Sequence, residues 1–126
     1  MAVKVLKNQH MEEHDVISME ETIEVIEEAF RELGEGRAKL APRERIHVEE
    51  GGPPKQENVW YWFNNLLGTV PGYDSMALRI DSSLRELAAI DGEEAEGDTK
   101  MTYPGDFVGL VLLFDIHTCE LKAILD

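Results

Sequence analysis

Cysteine is almost missing. Cys119 is the single one in 126 residues, so no internal disulfide can form and packing alone must hold the chain. Cations are also scarce: 12 Lys and Arg stand against 26 Asp and Glu, a formal charge of −14. Such a surface repels phosphate backbones and anionic lipid, which argues against nucleic-acid and membrane-surface partners. Long apolar runs are absent too. The longest, "VGLVLLF" at 108–114, is far too short to span a bilayer, and "MAVKVLKNQHMEEHD" at the start has no apolar h-region to act as a secretory signal. These absences point to a cytoplasmic, soluble chain. No G-x-G-x-x-G occurs anywhere, so the glycine-rich grip of a dinucleotide-binding turn is missing.

What is present suffices for one domain over residues 1–126. Hydrophobic residues make up 43%, and neither a repeat nor a linker divides the chain. "HMEEH" at 10–14 fits the inverted zinc-protease pattern, with two histidines four apart on a helical face and Glu13 as a general base. In so acidic a chain this match is cheap. A zinc protease needs a third ligand, and His47 and His117 fall in an expected strand and an expected turn, without ligand-like spacing. No metal is expected.

The patterning predicts α+β: one long amphipathic helix and a short helix packed on a largely antiparallel or mixed sheet. "VKVL" (3–6) alternates like a strand, and a short helix follows across 9–16. Ser18 and Glu21 form a capping-box pair, and Met19, Ile23, Ile26, Phe30 and Leu33 recur at helical spacing. The long helix is therefore expected over 19–33, stopped by Gly34. "RERIHVE" (43–49), "NVWYWF" (58–63) and "SMALRI" (75–80) read as strands. "GGPPK" (51–55) reads as a loop, "LGTVPG" (67–72) as a turn and the acidic "DGEEAEGD" (91–98) as a mobile surface loop. "FVGLVLLFD" (107–115) reads as a strand buried on both faces, and "HTCE" turns the chain into a second hairpin arm, "LKAILD" (121–126). An apolar last strand with nothing to cover it would favour self-association through its edge.

Four stretches in this order resemble the N-terminal part of the ornithine cyclodeaminase/mu-crystallin family: "SMEETIEVIEEAFRELGEGRA" (18–38), "APRERIHVE" (41–49), "MALRIDSS" (76–83) and "GLVLLFDIHTCELKAILD" (109–126). The resemblance implies a substrate-binding and dimerisation domain, here without the Rossmann domain that follows in the family. The chain is accordingly expected to be a fragment of a longer NAD- or NADP-linked protein acting on an amino or imino acid, catalytically silent alone and binding no dinucleotide by itself. The longer parent would be a cyclodeaminase, amino-acid dehydrogenase or imine reductase. A small amino-acid-like substrate and a homodimer are the expected partners. The alternative is a stand-alone dimerising module without catalysis.

The resemblance also implies which residues meet the substrate. Arg43 matches a clamp for the substrate carboxylate, with Arg45 in its place if the register slips by two. Either could instead be a strand arginine paired with Glu44 or Glu49. Arg79 stands where several family members carry a lysine. It keeps the charge, and could clamp an anion, but hardly ever releases a proton. Ser82 could add a hydroxyl to the same pocket. "WYWFNNLLG" departs from the family's usual strand, so the pocket should differ in shape and ornithine is not supported as substrate. Trp60 and Trp62 share one strand face, with Tyr61 and Phe63 on the other, and read as core or interface residues rather than a stacking site. Cys119 and His117 read as turn residues, not as a nucleophile and its base.

Overall fold

The computed structural model describes residues 2–48, 59–90 and 93–126; the expected loop at 51–55 and Glu49 lie outside them. Ten elements follow in order. They are β1 (Lys4–Leu6), α1 (Asn8–Glu13), α2 (Met19–Gly34), β2 (Lys39–Leu40), β3 (Glu44–Val48), β4 (Val59–Val70), β5 (Ser75–Ile90), β6 (Glu93–Thr102), β7 (Gly109–Asp115) and β8 (Leu121–Leu125). A 3₁₀ turn, Pro71–Tyr73, joins β4 to β5.

This overturns the expected α+β balance. Strands make up 48% of the chain, in a mixed sheet of eight, and among the described residues α2 alone reaches seven residues in length. Two local forces explain the shift. α1 ends after six residues, too short to present a packing face, and buries none of them. β4 and β5 run to 12 and 16 residues because the turn between them is confined to 71–73, and the expected turn residues 67–70 stay in the ladder. The expected surface loop at 91–98 is also strand over 93–98: Ala89 pairs with Glu94 and Ile90 with Glu93, so pairing overrides the low strand propensity of its acids and glycine.

The chain divides into two compact units. The first holds residues 1–42, 66–79 and 110–126. In it the strand path β1-β8-β7-β5-β4-β2 uses the first part of β5 and the last part of β4. β1 lies parallel to β8, with Val5 opposite Ile124, and the Asp126 N–H donates to Leu6 O at 2.9 Å. The final strand is therefore flanked on both sides, and the expected uncovered edge does not exist. β7 is half-buried along its length rather than buried on both faces. The second unit holds residues 43–65 and 80–109, where β3 pairs with the first part of β4 and β6 pairs with β5.

α2 begins as its sequence dictates. Ser18 Oγ accepts from the Glu21 N–H at 3.1 Å and donates to Glu21 Oε2 at 3.0 Å, satisfying an otherwise orphaned donor. Its stop differs from expectation by two residues. Gly34 is still helical, and Gly36 takes the left-handed conformation (φ 76°) that lets the Gly36 and Arg37 N–H groups return to Leu33 and Glu32 carbonyls. Among the described residues no helix is long and apolar enough to cross a membrane.

The β7–β8 turn is built on Asp115, whose Oδ1 accepts from the N–H groups of His117 (2.8 Å) and Thr118 (3.0 Å) while Lys122 Nζ lies 2.9 Å from Oδ2. The Lys122 ammonium first, then these two N–H groups, hold the carboxyl well below the usual carboxylate range. A depressed folded-state value stabilises the fold above the unfolded value, about 3.9, and that contribution fades as pH falls below it. Asp115→Asn should therefore lower the urea midpoint at pH 7, and the gap from the parent chain should shrink between pH 5 and pH 3. A gap constant over that range would remove ionisation from the explanation.

Candidate functional site

The chemistry gathers in the second unit. In the β3–β4 register Arg45 lies opposite Asn64 and His47 opposite Trp62. Side chains alternate along a strand, so Arg45, His47, Trp60, Trp62 and Asn64 share one sheet face while Tyr61 and Phe63 take the other, as expected. His47 stacks on both indoles, with centroids at 5.4 Å from Trp60 and 5.5 Å from Trp62. Two guanidiniums flank the Trp62 ring: Arg85 Cζ at 4.1 Å from its centroid and Arg45 Cζ at 5.6 Å. A cation over an indole is worth about 0.5–2 kcal/mol, and here it fixes the two forks beside one aromatic wall. The two tryptophans thus stack within the protein on His47, half-buried on one face of β4.

Below the ring the face turns polar. Asn64 Nδ2 donates to Asp81 Oδ1 at 2.7 Å, which ties β4 to β5. Ser83, two residues along β5, is only 2% exposed, and Asn64 only 6%. Among the described residues four buried side-chain atoms lack a hydrogen-bond partner: Trp62 Nε1, Asn64 Oδ1, Ser83 Oγ and Arg85 Nε. All four belong to this face of one unit. Leaving such a group unmade costs about 1–3 kcal/mol, so four together call for water or a ligand. Three of them can donate, and the guanidinium carries charge. The set matches a compact anion with several acceptor atoms, a carboxylate above all.

The opposite face carries a different feature. Ser82 Oγ and Tyr61 Oη lie 3.1 Å apart, and the Ser82 N–H donates to Val108 O at 2.7 Å. With Ser83, Leu84 and the segment 104–108 they line an open cleft of about 300 Å³.

The expected site residues that belong to the second unit, Arg43, Arg45 and Ser82, take different places in it. Arg45 joins the Trp62 face. Ser82 belongs to the cleft on the reverse side of the sheet. Arg43 is exposed just before β3, and Arg79 is an exposed residue of β5 in the first unit. Arg85 lies past the end of the strand expected at 75–80, because β5 runs on to Ile90. The alternation of Asp81, Ser83 and Arg85 along "DSSLR" is the signal that would have found it. His10 has a structural use: its Nδ1 accepts from the Lys7 N–H at 3.1 Å at the start of α1, and His14 lies beyond the helix end. Among the described residues no three His, Cys, Asp or Glu side chains cluster as metal ligands would. Cys119 is exposed in the β7–β8 turn, while His117 Nε2 meets Asp74 Oδ1 at 2.8 Å.

No family model matches the chain, and no curated protein does. Among solved structures the fold is shared with the crystal structure of a probable ornithine cyclodeaminase from Bordetella pertussis Tohama I, at a TM-score of 0.62 and 20% sequence identity. The alignment covers 99% of this chain and 30% of that one, so the chain spans less than a third of its structural neighbour. The resemblance read from the four sequence stretches is thus met at the level of the fold.

Proposed function

We propose that this chain is the N-terminal, substrate-binding portion of an ornithine cyclodeaminase/mu-crystallin-like protein, cytoplasmic and homodimeric, whose complete form uses NAD or NADP on an amino or imino acid. The fold likeness supports the family part of this reading. The observation that carries the binding role is the unpartnered donor set beside Trp62. Arg85 and Arg45 present forks, and Trp62 Nε1 and Ser83 Oγ supply further donors, to the carboxylate of a substrate lying against the indole. Arg43 and Arg79 remain the positions that the family resemblance assigns to the same task.

The dinucleotide does not fit the residues present. Its pyrophosphate needs a glycine-rich turn opening onto a helix, whereas α2 opens on Ser18 with Glu20 and Glu21 in its first turn, whose charges oppose phosphate.

Trp60 and Trp62 are the only tryptophans, so indole emission reports directly on the face. Titration with L-proline or its cyclic imino acid should give a saturable change that pyrrolidine, lacking the carboxylate, does not. An equal response to pyrrolidine, or none to either acid, would remove the carboxylate site.

A further inference from the structure

One of the four unpartnered atoms beside Trp62 has no use in a carboxylate site. Trp62 Nε1, Ser83 Oγ and Arg85 Nε can donate, but Asn64 Oδ1 can only accept, and an anion offers it nothing. The amide is held in this sense by its neighbour. Its Nδ2 donates to Asp81 Oδ1 at 2.7 Å, and turned over, its oxygen would face a carboxylate. Asp81 is half-buried, and among the described residues no Lys or Arg pairs with it. A buried neutral acceptor and an unpaired carboxylate therefore stand together in the second unit. What both lack is an N–H, and a charged one serves best.

The anion side of the face is close by. In the β3–β4 register Asn64 lies directly opposite Arg45, and side chains so placed start about 4.5–5.5 Å apart. A fork for an anion and an acceptor pair for a cation are thus neighbours on one sheet face. A small zwitterion with its carboxylate and nitrogen on the same carbon meets both. We propose that Asn64 Oδ1 and Asp81 form a nitrogen subsite, which takes the ammonium or secondary-amine N–H of the ligand whose carboxylate meets Arg45 and Arg85. This rests on the carboxylate reading above and adds a selectivity to it. An acid with a donor nitrogen on its α-carbon is taken, and one with carbon or an ether oxygen there is refused, because it leaves the buried acceptor unmade. Were Asp81 present only to offset the charge of the two arginines, the ligand would need no N–H at all.

The test follows indole emission of the full chain during titration with L-proline, cyclopentanecarboxylate and tetrahydrofuran-2-carboxylate, three five-membered rings bearing the same carboxylate. Proline should bind at least about tenfold more tightly than either of the others. Asp81→Asn should remove most of that preference, and Asp81→Glu should restore part of it. Equal affinity of the parent chain for all three would leave the carboxylate site standing and overturn the nitrogen subsite. No response to any of the three would overturn it too, and the carboxylate reading with it where the cyclic imino acid is silent as well. The three titrations of the parent chain decide the matter even where Asp81→Asn does not fold. A folded Asp81→Asn that keeps the full preference would take Asp81 out of the subsite and overturn the proposal.

Discussion

Replacing Gly72 with alanine is expected to lower the unfolding free energy by about 1–3 kcal/mol, a large cost for a single methyl group on an exposed turn. The added Cβ would lie 2.0 Å from Glu32 Oε1, while Glu32 Oε2 accepts from the Gly72 N–H at 3.2 Å. Glu32 is a buried carboxylate on α2, and this hydrogen bond joins the helix to the 3₁₀ turn. The Arg37 guanidinium, at 3.9 Å, is its other partner and is half in water. The methyl must push the carboxylate away, leaving a buried charge without its donor. Glu32→Ala removes that charge together with the contact. Gly72→Ala should therefore cost much less in the Glu32→Ala background than in the parent chain, with a coupling of about 0.5–3 kcal/mol. Urea midpoints of the four proteins measure it. If the two costs simply add, the contact does not hold the helix to the turn.

That contact also shows where sequence reasoning stops. The start of α2 is local: Ser18, Glu21 and the 3.6-residue period lie within a few positions of one another, and the expected start at residue 19 matches the helix Met19–Gly34. Which side of α2 is buried is not local. The period identifies an apolar stripe and implies that it faces the sheet, whereas the structure turns Glu32 inward because Gly72, forty positions on, offers an N–H and leaves room for the carboxylate. The strands behave in the same way. Aromatic and β-branched runs marked β4 and the start of β5, but β6 is acidic and glycine-bearing, and only its pairing with β5 makes it a strand. At the candidate site the arginine on the strand was legible as a residue type. Its face was not, since Arg45 and Ser82 are both polar strand residues yet lie on opposite sides, set by a register that pairs Arg45 with Asn64 and brings Ser82 to Tyr61.

Arg85→Met should have the largest effect on ligand binding, weakening the response of indole emission to L-proline or its imino acid by about 10–100-fold, the range for losing hydrogen bonds to a charged group. Arg85 lies closer to the Trp62 ring than Arg45 does, 4.1 Å against 5.6 Å, and its Nε is one of the unpartnered donors. Arg45→Met should act in the same direction and more weakly. Arg85→Lys keeps the charge but loses the planar fork, so it should recover only part of the affinity. Trp62→Phe keeps an aromatic wall and removes the Nε1 donor, leaving Trp60 to report binding, and should lose affinity by a smaller factor. Met also fills the space of the arginine stem, so the half-buried position stays packed and the variant should stay folded. Ser82→Ala, in the cleft on the reverse face, should leave binding unchanged. The opposing result is equally clear: if Arg43→Met or Arg79→Met abolishes binding while Arg85→Met leaves it intact, the clamp lies where the family resemblance alone would set it. The unpartnered atoms beside Trp62 would then be satisfied by water.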